Sequence, residues 1–406
     1  MEIINPSNFP VELGIKTLEK RVEKEHSNIS LKIGLPKERS NDEKRICLTP
    51  SGVSVLVANG HEIYIEKNAG SDANFSDQEY ADAGANIAYS TEDLYKKSEM
   101  VVKVAPPIAH ELNLMQKNQI LLSAVHLGNQ TGNYFRTLLN KNIAGIGFEF
   151  IREPDNTFPI VRMMHEITGS MAVQIAAHYL ENTHNGQGIM LGGISGVPPA
   201  NVVILGGGII AEYAARTALG YGAQVFVLDT NLARLRHLEN ALDRRIITAI
   251  ANHQYLSSAL KYADVVIGSP LEEGNRAPCW VTEPMVNNMK DGSVIVDTVI
   301  DQGGCVATSE PTTHSNPVFV KHGVLHFCVP NIPSSVARTA TYALNNVIGS
   351  FLLEIGDAGS INKALWANST LRQGVYSYKG HITQKNLSKM FDLPFRDIDM
   401  LIASQI

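Results

Sequence analysis

The chain has 406 residues, 44% of them hydrophobic and 18% charged, with a net charge of −6. This composition is typical of a globular protein with more than one hydrophobic core. No Lys/Arg cluster indicates a nucleic-acid partner, every apolar run is shorter than the ~18 residues of a membrane helix, and no secretory pattern opens the sequence. The four cysteines lack paired spacing, which favours reduced thiols over disulfides or a zinc site. We expect a cytoplasmic protein of about two domains, without metal, membrane or nucleic-acid partner.

The predicted elements begin with an N-terminal arm over residues 1–30, whose apolar residues have loosely helical spacing. From Leu31 onwards, short apolar runs such as LKIGLP, HEIYIEK and NQILLSAV alternate with helix-like stretches such as TPSGVSVLVANG and SDQEYADAGA. Alternating strand and helix signals predict an α/β domain with a largely parallel sheet over residues 31–164.

The stretch HEITGSMAVQIAAHYLENTHNG, residues 165–186, has apolar positions three or four residues apart and ends at a glycine. It predicts one long amphipathic helix that leads into a second domain over residues 165–339. The last stretch, residues 340–406, is helical in character and is expected to return to the first domain. The predicted fold class is α/β, with two doubly wound domains joined by long helices, one of them a Rossmann domain.

The second domain opens with VVILGGGIIA, in which Gly206, Gly208 and Ala211 form a GxGxxA pattern between a β-branched strand and a helix. The next strand ends in Asp229, close to the ~20-residue spacing of a dinucleotide fingerprint. Gly206 would allow the tight turn, Gly208 would let the backbone approach a pyrophosphate, and the helix N-terminus would meet its charge. Asp229 would bind ribose hydroxyls and repel a 2′-phosphate, which favours NAD over NADP. The alternative is a glycine-rich turn that binds nothing.

The segment DQGGC follows the apolar run SVIVDTVI directly and places Asp301 at the end of a predicted strand. In doubly wound sheets, ligands bind beyond the carboxyl ends of the strands. Asp301 is therefore expected to face the cofactor cleft, although Asp and Gly are also ordinary turn residues.

These segments, together with IGLPKERSNDEKRICLTPSGV, LLSAVHLGN, PTTHSNP and HFCVPNIP, resemble the alanine dehydrogenase family, which is related to the NAD-binding subunit of nicotinamide nucleotide transhydrogenase. The similarity spans roughly residues 31–385. The resemblance implies reversible oxidative deamination of a small L-amino acid to a 2-oxo acid, with NAD as the cofactor. It also implies a homo-oligomer, a homohexamer.

The resemblance assigns roles to individual residues. Arg45 matches the arginine that binds the substrate carboxylate, for which a guanidinium fork is suited. His126 matches the catalytic histidine, whose imidazole can transfer protons near neutral pH. Asp301 matches the second catalytic residue. Without the resemblance, Arg45 could be a surface arginine and His126 a packed histidine. The residues that would contact NAD are Asp229, Arg234, Thr298, Val299, Ile300, Asp301 and Asn331.

The sequence departs from the family pattern mainly at the substrate site. Ala105 stands where the family has a substrate-binding lysine, His165 where it usually has a serine, and Ala124 where it has a bulkier residue. In addition, Ala211 replaces the third fingerprint glycine and Ala251 replaces a serine that contacts the cofactor.

Lys103 and His165 are the candidates to replace the missing lysine in substrate binding. In an extended chain, residues 103 and 105 lie on the same face, so the Lys103 side chain could lean toward the position of Ala105. His165 could carry a positive charge near a bound carboxylate. The alternative is that Lys103 pairs with a structural acid and His165 only packs. Two other functions stay open: a non-catalytic NAD(H)-binding regulator, and an opine-type dehydrogenase that joins an amine to a 2-oxo acid.

Overall fold

The structure is a computed structural model that describes residues 30–40, 42–271 and 276–403. Apart from Ser30, the predicted N-terminal arm lies outside the described residues. The strands are β1 (Lys32–Leu35), β2 (Glu62–Glu66), β3 (Asn86–Ala88), β4 (Met100–Val102), β5 (Ile120–Ser123), β6 (Ala144–Gly147), β7 (Asn201–Leu205), β8 (Gln224–Asp229), β9 (Ile247–Ile250), β10 (Val265–Gly268), β11 (Val294–Asp297), β12 (Val318–Lys321), β13 (Val324–Phe327), β14 (Val375–Tyr378) and β15 (His381–Ile382).

The helices are α1 (Pro50–Ala58), α2 (Asp77–Asp82), α3 (Thr91–Lys97), α4 (Ala109–Leu114), α5 (Gly132–Asn140), α6 (Pro159–Tyr179), α7 (Ile209–Tyr221), α8 (Leu232–Ala241), α9 (His253–Tyr262), α10 (Glu283–Asn287), α11 (Ala337–Ala358), α12 (Ile361–Ala367), α13 (Ser369–Gln373), α14 (Lys385–Phe391) and α15 (Ile398–Ala403). The local sequence explains where several of these helices begin. Thr49 caps α1 by accepting a hydrogen bond from Gly52 N, and Ser76 forms a capping box with Glu79 at α2. Among the described residues, no helix is long and apolar enough to cross a bilayer.

The first sheet has the strand order β15-β14-β6-β5-β4-β1-β2-β3. Strands β1 to β6 pair in parallel, whereas β14 and β15 join the edge in antiparallel orientation. The C-terminal stretch therefore packs on the first domain. The C-terminal stretch is not entirely helical, because it also contains β14 and β15, which were not predicted. A four-residue run such as VYSY between helices is too short for its periodicity to indicate a strand.

The second sheet has the order β12-β13-β11-β10-β7-β8-β9 and is parallel except for β12. Strand β7 lies between β8 and β10. The strands that follow it in the chain are added first on one side, as β8 and β9, and then on the other side, starting with β10. This strand order creates a switch point at the carboxyl end of β7, directly at the fingerprint. The predicted class, two doubly wound α/β units joined by long helices, is confirmed.

Helix α6 connects the two sheets and differs from the prediction at both ends. It begins at Pro159 rather than at residue 165, because a proline at the first helical position already has a helical φ. It ends at Tyr179 rather than at residue 186, and Asn185 has a positive φ of 63°. Along its length α6 packs closely on α7: a Cβ on Gly169 would lie 2.3 Å from the carbonyl oxygen of Ile210.

Candidate active site

The fingerprint turn has the geometry that its glycines predict. Gly206 has a φ of +99°, and a Cβ there would lie 2.7 Å from the backbone oxygen of Ser269. A Cβ on Gly208, at the N-cap of α7, would meet no atom within 4 Å. Ala211 is fully buried one turn into α7. The first glycine is therefore required by packing within the protein, whereas the second borders open space at a helix N-terminus, where an anionic group can approach the backbone.

Asp229 ends β8 beside this turn and is almost completely buried. One carboxylate oxygen accepts a hydrogen bond from Asn231 N at 2.6 Å, and the other lies 3.7 Å from Nη1 of Arg234. A cavity of about 320 Å³ opens here and is lined by Asp229, Thr230, Asn231, Arg234, Pro270, Leu271, Pro278 and Trp280. The cavity combines a fixed carboxylate and other polar side chains with the apolar side chains of two prolines, a leucine and a tryptophan.

The segment after β11 is fixed by a buried carboxylate. Asp297 accepts hydrogen bonds from Val299 N at 3.3 Å and Cys305 N at 3.0 Å, and its burial raises the pKa of its carboxyl. Thr298 donates both its N–H and its hydroxyl to the carbonyl of Gly268, at 2.9 and 2.7 Å. The loop that carries Val299, Ile300 and Asp301 is therefore held at the carboxyl edge of the second sheet.

His126 follows β5 at the carboxyl edge of the first sheet and has an unusual backbone conformation. Its φ of +51° and ψ of 57° are left-handed, which is uncommon for a residue with a side chain. The carboxylate of Glu149 accepts hydrogen bonds from the N–H groups of Val125 and His126, both at 2.9 Å. The imidazole itself is exposed. The protein thus holds this backbone in place and leaves the side chain accessible.

His126 and Asp301 lie within electrostatic reach of each other, although they come from different domains. The Asp301 side chain is reached by solvent but is surrounded by protein atoms, and this desolvation raises the pKa of its carboxyl. The charge of His126 acts in the opposite direction on the same carboxyl. The two residues that the sequence predicts as catalytic therefore interact electrostatically across the two domains, and their catalytic roles stay a prediction.

Arg45 is buried between the two domains. Its Nε and Nη2 donate to the two carboxylate oxygens of Glu43 at 2.7 and 2.6 Å, and its Nη1 lies 3.1 Å from the sulfur of Met164. Asn331, which has a φ of +64°, donates from Nδ2 to the same Glu43 carboxylate at 3.0 Å. Glu43 therefore links Arg45 and Asn331, and it was not among the predicted site residues.

Lys103 is fully buried and engaged by acids. Its Nζ donates to both oxygens of Glu111 at 3.0 and 2.8 Å and lies 3.5 Å from Oε2 of Glu38. Strand β4 ends at Val102 and the chain bends at residues 104–105, so the assumed extended conformation does not continue through Ala105. Two carboxylates surround the Lys103 amine. This pairing with buried acids is the alternative to its predicted role in substrate binding.

His165 lies on α6 next to Met164 and is partly buried. Desolvation lowers the pKa of its imidazole to about 4, so the ring is neutral at physiological pH. The positive charge expected near a bound carboxylate stays a prediction, because this pKa is that of the protein without a bound carboxylate. Ala124 is buried and Ala105 is partly buried. Both side chains are methyl groups, so neither adds a polar group to the site.

Glu43, Glu149 and Glu38 complete the site, and none was predicted. Glu149 follows β6 at the same sheet edge as His126, a position that the strand pattern could have indicated. Glu38 has a buried side chain, Oε1 of which accepts a hydrogen bond from Val104 N at 2.7 Å. Burial raises its pKa to about 7, despite the opposing charge of Lys103.

Two family models match the chain. The model for the N-terminal domain of alanine dehydrogenase/PNT covers residues 34–168, and that for the C-terminal domain covers residues 172–385. The chain therefore belongs to the alanine dehydrogenase/PNT family.

Relatives with curated names agree with this assignment. An alanine dehydrogenase of Methanococcus maripaludis is 42% identical over 364 residues, 89% of this chain and 97% of that protein. One of Staphylococcus haemolyticus is 41% identical over 370 residues, 91% of this chain and 98% of that protein. A solved L-alanine dehydrogenase superposes with a TM-score of 0.85 at 39% identity and covers 89% of this chain and 99% of its own. A transhydrogenase from Sinorhizobium meliloti shares the fold, with a TM-score of 0.73 at 22% identity over 87% of this chain and 99% of its own.

Proposed function

We propose that this protein is an NAD-dependent dehydrogenase that converts a small L-amino acid, alanine or a close relative, to its 2-oxo acid and ammonia, and catalyses the reverse reaction. The observation that carries the proposal is that His126 and Asp301 each follow a strand at the carboxyl edge of its sheet and interact electrostatically, with the GxGxxA fingerprint at the carboxyl edge of the second sheet. The names of the relatives support the choice of substrate.

The residues at the fingerprint fit NAD. Open space at Gly208 and the N-terminus of α7 suit a pyrophosphate, and buried Asp229 suits a ribose with free hydroxyls. The loop from Thr298 to Asp301 would lie along the nicotinamide half. The chemistry that NAD would supply when bound is acceptance of a hydride from the substrate's α-carbon.

Arg45 supports binding of the substrate carboxylate. Two of its nitrogens are held by Glu43, and the described residues give Nη1 only the sulfur of Met164 as a partner. Glu43 fixes the guanidinium plane, and Nη1 would donate to a carboxylate in the cleft. Desolvation strengthens such a charge-assisted hydrogen bond.

His126 and Asp301 would supply the proton transfers. The reaction consumes amino acid, NAD⁺ and water and yields 2-oxo acid, ammonium, NADH and a proton. The His126 imidazole would take the proton from the attacking water or the carbinolamine hydroxyl, and the Asp301 carboxylate would orient the water or ammonia. Because desolvation raises the pKa of Asp301, its carboxylate accepts a hydrogen bond more strongly than one with an ordinary pKa.

A non-catalytic NAD(H)-binding role is the second candidate, and one observation favours it. The family's substrate lysine is absent at Ala105, and Lys103 is enclosed by Glu111 and Glu38. The substrate site therefore has one accessible cation fewer than the family pattern.

The test replaces the two catalytic residues and measures turnover and NADH affinity separately. His126→Asn keeps a side chain that tolerates the left-handed conformation, and Asp301→Asn removes the charge alone. We expect each to lower kcat by ~10²-fold or more while the NADH dissociation constant stays nearly unchanged. His110→Ala, an exposed histidine on α4, is the matched control and should retain full activity. Full activity of either catalytic-site variant would remove that residue from the mechanism.

The family resemblance also supports a homohexamer in the cytoplasm. Light scattering coupled to size-exclusion chromatography would measure the subunit number.

A further inference from the structure

A second group of metal-ligating side chains lies far from the cleft, where α6 ends. His178 lies in the last turn of α6, and Glu181 and His184 follow in the loop. One donor atom from each lies within 4.8 Å of the donors of the other two. The imidazole rings of His178 and His184 have their centroids 3.8 Å apart, and Nδ1 of His184 lies 3.7 Å from the Glu181 carboxylate. We propose that this group binds a zinc ion, with a structural role and not a catalytic one.

The donor set matches zinc chemistry. Two imidazoles and one carboxylate, with water as the fourth ligand, are a common tetrahedral set for Zn²⁺. Ligand atoms about 2.0–2.1 Å from a zinc ion are roughly 3.3 Å apart, so donors that lie within 4.8 Å of one another must close by at most about 1.5 Å. The side chains are exposed to half-buried, which leaves their rotamers free to make this adjustment. Two adjacent imidazoles repel each other when protonated, whereas a metal ion needs both of them neutral.

The backbone holds these residues in place before any ion binds. His184 N and Gly186 N both donate to the carbonyl of Glu181, at 3.0 Å each, and Gly188 N donates to the carbonyl of Leu180 at 2.7 Å. A Cβ on Gly186 would lie 2.2 Å from the carbonyl oxygen of Tyr179, so the loop is folded tightly against the helix end. A preformed loop lowers the entropic cost of binding. The negative end of the dipole of the 21-residue helix α6 also favours a cation there.

The proposed zinc site lies at the opposite end of the second sheet from the predicted catalytic residue Asp301. Gln187, three residues beyond His184, lies against Gly292, which precedes β11 at the amino edge of the second sheet. The fingerprint and Asp301 lie at the opposite, carboxyl edge. A zinc ion here would tie the loop to the end of the helix that connects the domains, so we expect it to raise thermal stability and leave kcat unchanged.

The test uses untagged full-length protein with Cys279→Ser, because Cys279 is an exposed thiol that could bind metal by itself. After treatment with a chelator, the protein is titrated with zinc chloride by calorimetry. We expect one Zn²⁺ per chain and a higher melting temperature. Binding should weaken as pH falls below the histidine range, since protons compete for the imidazoles. Mg²⁺ and Ca²⁺, which prefer oxygen ligands, should not compete.

Three single variants and one control decide the assignment. His178→Ala, Glu181→Gln and His184→Ala should each raise the zinc dissociation constant by about tenfold or more. His237→Ala is the matched control, because exposed His237 lies 3.6 Å from the carboxylate of partly buried Glu212, and the described residues form no three-ligand group there; it should bind zinc like the parent. The absence of stoichiometric binding, or unchanged affinity in His178→Ala, would overturn the proposal. Circular dichroism confirms that each variant is folded.

Discussion

Asp229 should set the preference for NADH over NADPH. Its buried carboxylate is held by the N–H of Asn231, so it cannot swing away from a 2′-phosphate. Two like unit charges 4 Å apart repel each other by about 4 kcal/mol at an effective dielectric constant of 20. Arg234 attracts the same phosphate, but its half-exposed guanidinium is screened by water. We therefore expect a net preference of ~2 kcal/mol, or about 30-fold in the dissociation constant.

The assay measures NADH and NADPH binding by the cofactor's fluorescence at fixed ionic strength. The wild type should bind NADH about 30-fold more tightly. Asp229→Ala should weaken NADH binding and remove the preference, because Arg234 then attracts the phosphate without opposition. Arg234→Ala, the control, should weaken NADPH binding further and change NADH binding little. Equal affinity of the wild type for the two cofactors would show that Asp229 does not set a preference for NADH.

Other positions give independent predictions. Arg45→Lys should raise the substrate KM by roughly tenfold, because an ammonium cannot reproduce the planar fork; an unchanged KM would exclude Arg45 from binding. Lys103→Met should lower the free energy of unfolding by ~3–5 kcal/mol, measured in urea, since it removes the cation that contacts buried Glu111 most closely and leaves Arg39 at 3.9 Å; a loss of activity with unchanged stability would instead indicate a direct role in substrate binding. Ala105→Lys should raise kcat/KM for alanine, and no change would show that the missing lysine is not limiting. The stability from Glu38, whose folded pKa is raised to about 7, is complete below its unfolded pKa and is lost as pH rises through 7. Glu38→Gln should therefore be more stable than wild type at pH 8, by roughly 3 kcal/mol or less, with little difference near pH 4; an equal difference at both pH values would contradict this.

The repeating strand and helix signals were enough to predict the fold class, because each parallel strand is a short apolar run followed by a helix. The ends of α6 and the strands β14 and β15 were not predictable in the same way. Pro159 extends the helix backwards through a polar segment, and β14 becomes a strand only because the edge of β6 is available to pair with it.

The cofactor side of the site was largely predictable, because Gly206, Gly208 and Asp229 lie within 24 residues and their roles depend on local backbone geometry. The substrate side depends on contacts distant in sequence. Lys103 meets Glu38, 65 residues earlier, and the His126 backbone is held by Glu149, 23 residues later. The pKa of His165 is set by burial that one helix alone does not reveal.

The most direct measurement follows alanine-dependent reduction of NAD by the wild-type protein, with pyruvate and ammonia quantified in the same reaction. We expect NADH, pyruvate and ammonia in equal amounts, and a loss of all three in Asp301→Asn while NADH binding persists. Tight NADH binding without turnover on alanine or any other small L-amino acid, or on pyruvate with ammonia, would contradict this expectation and favour the non-catalytic role.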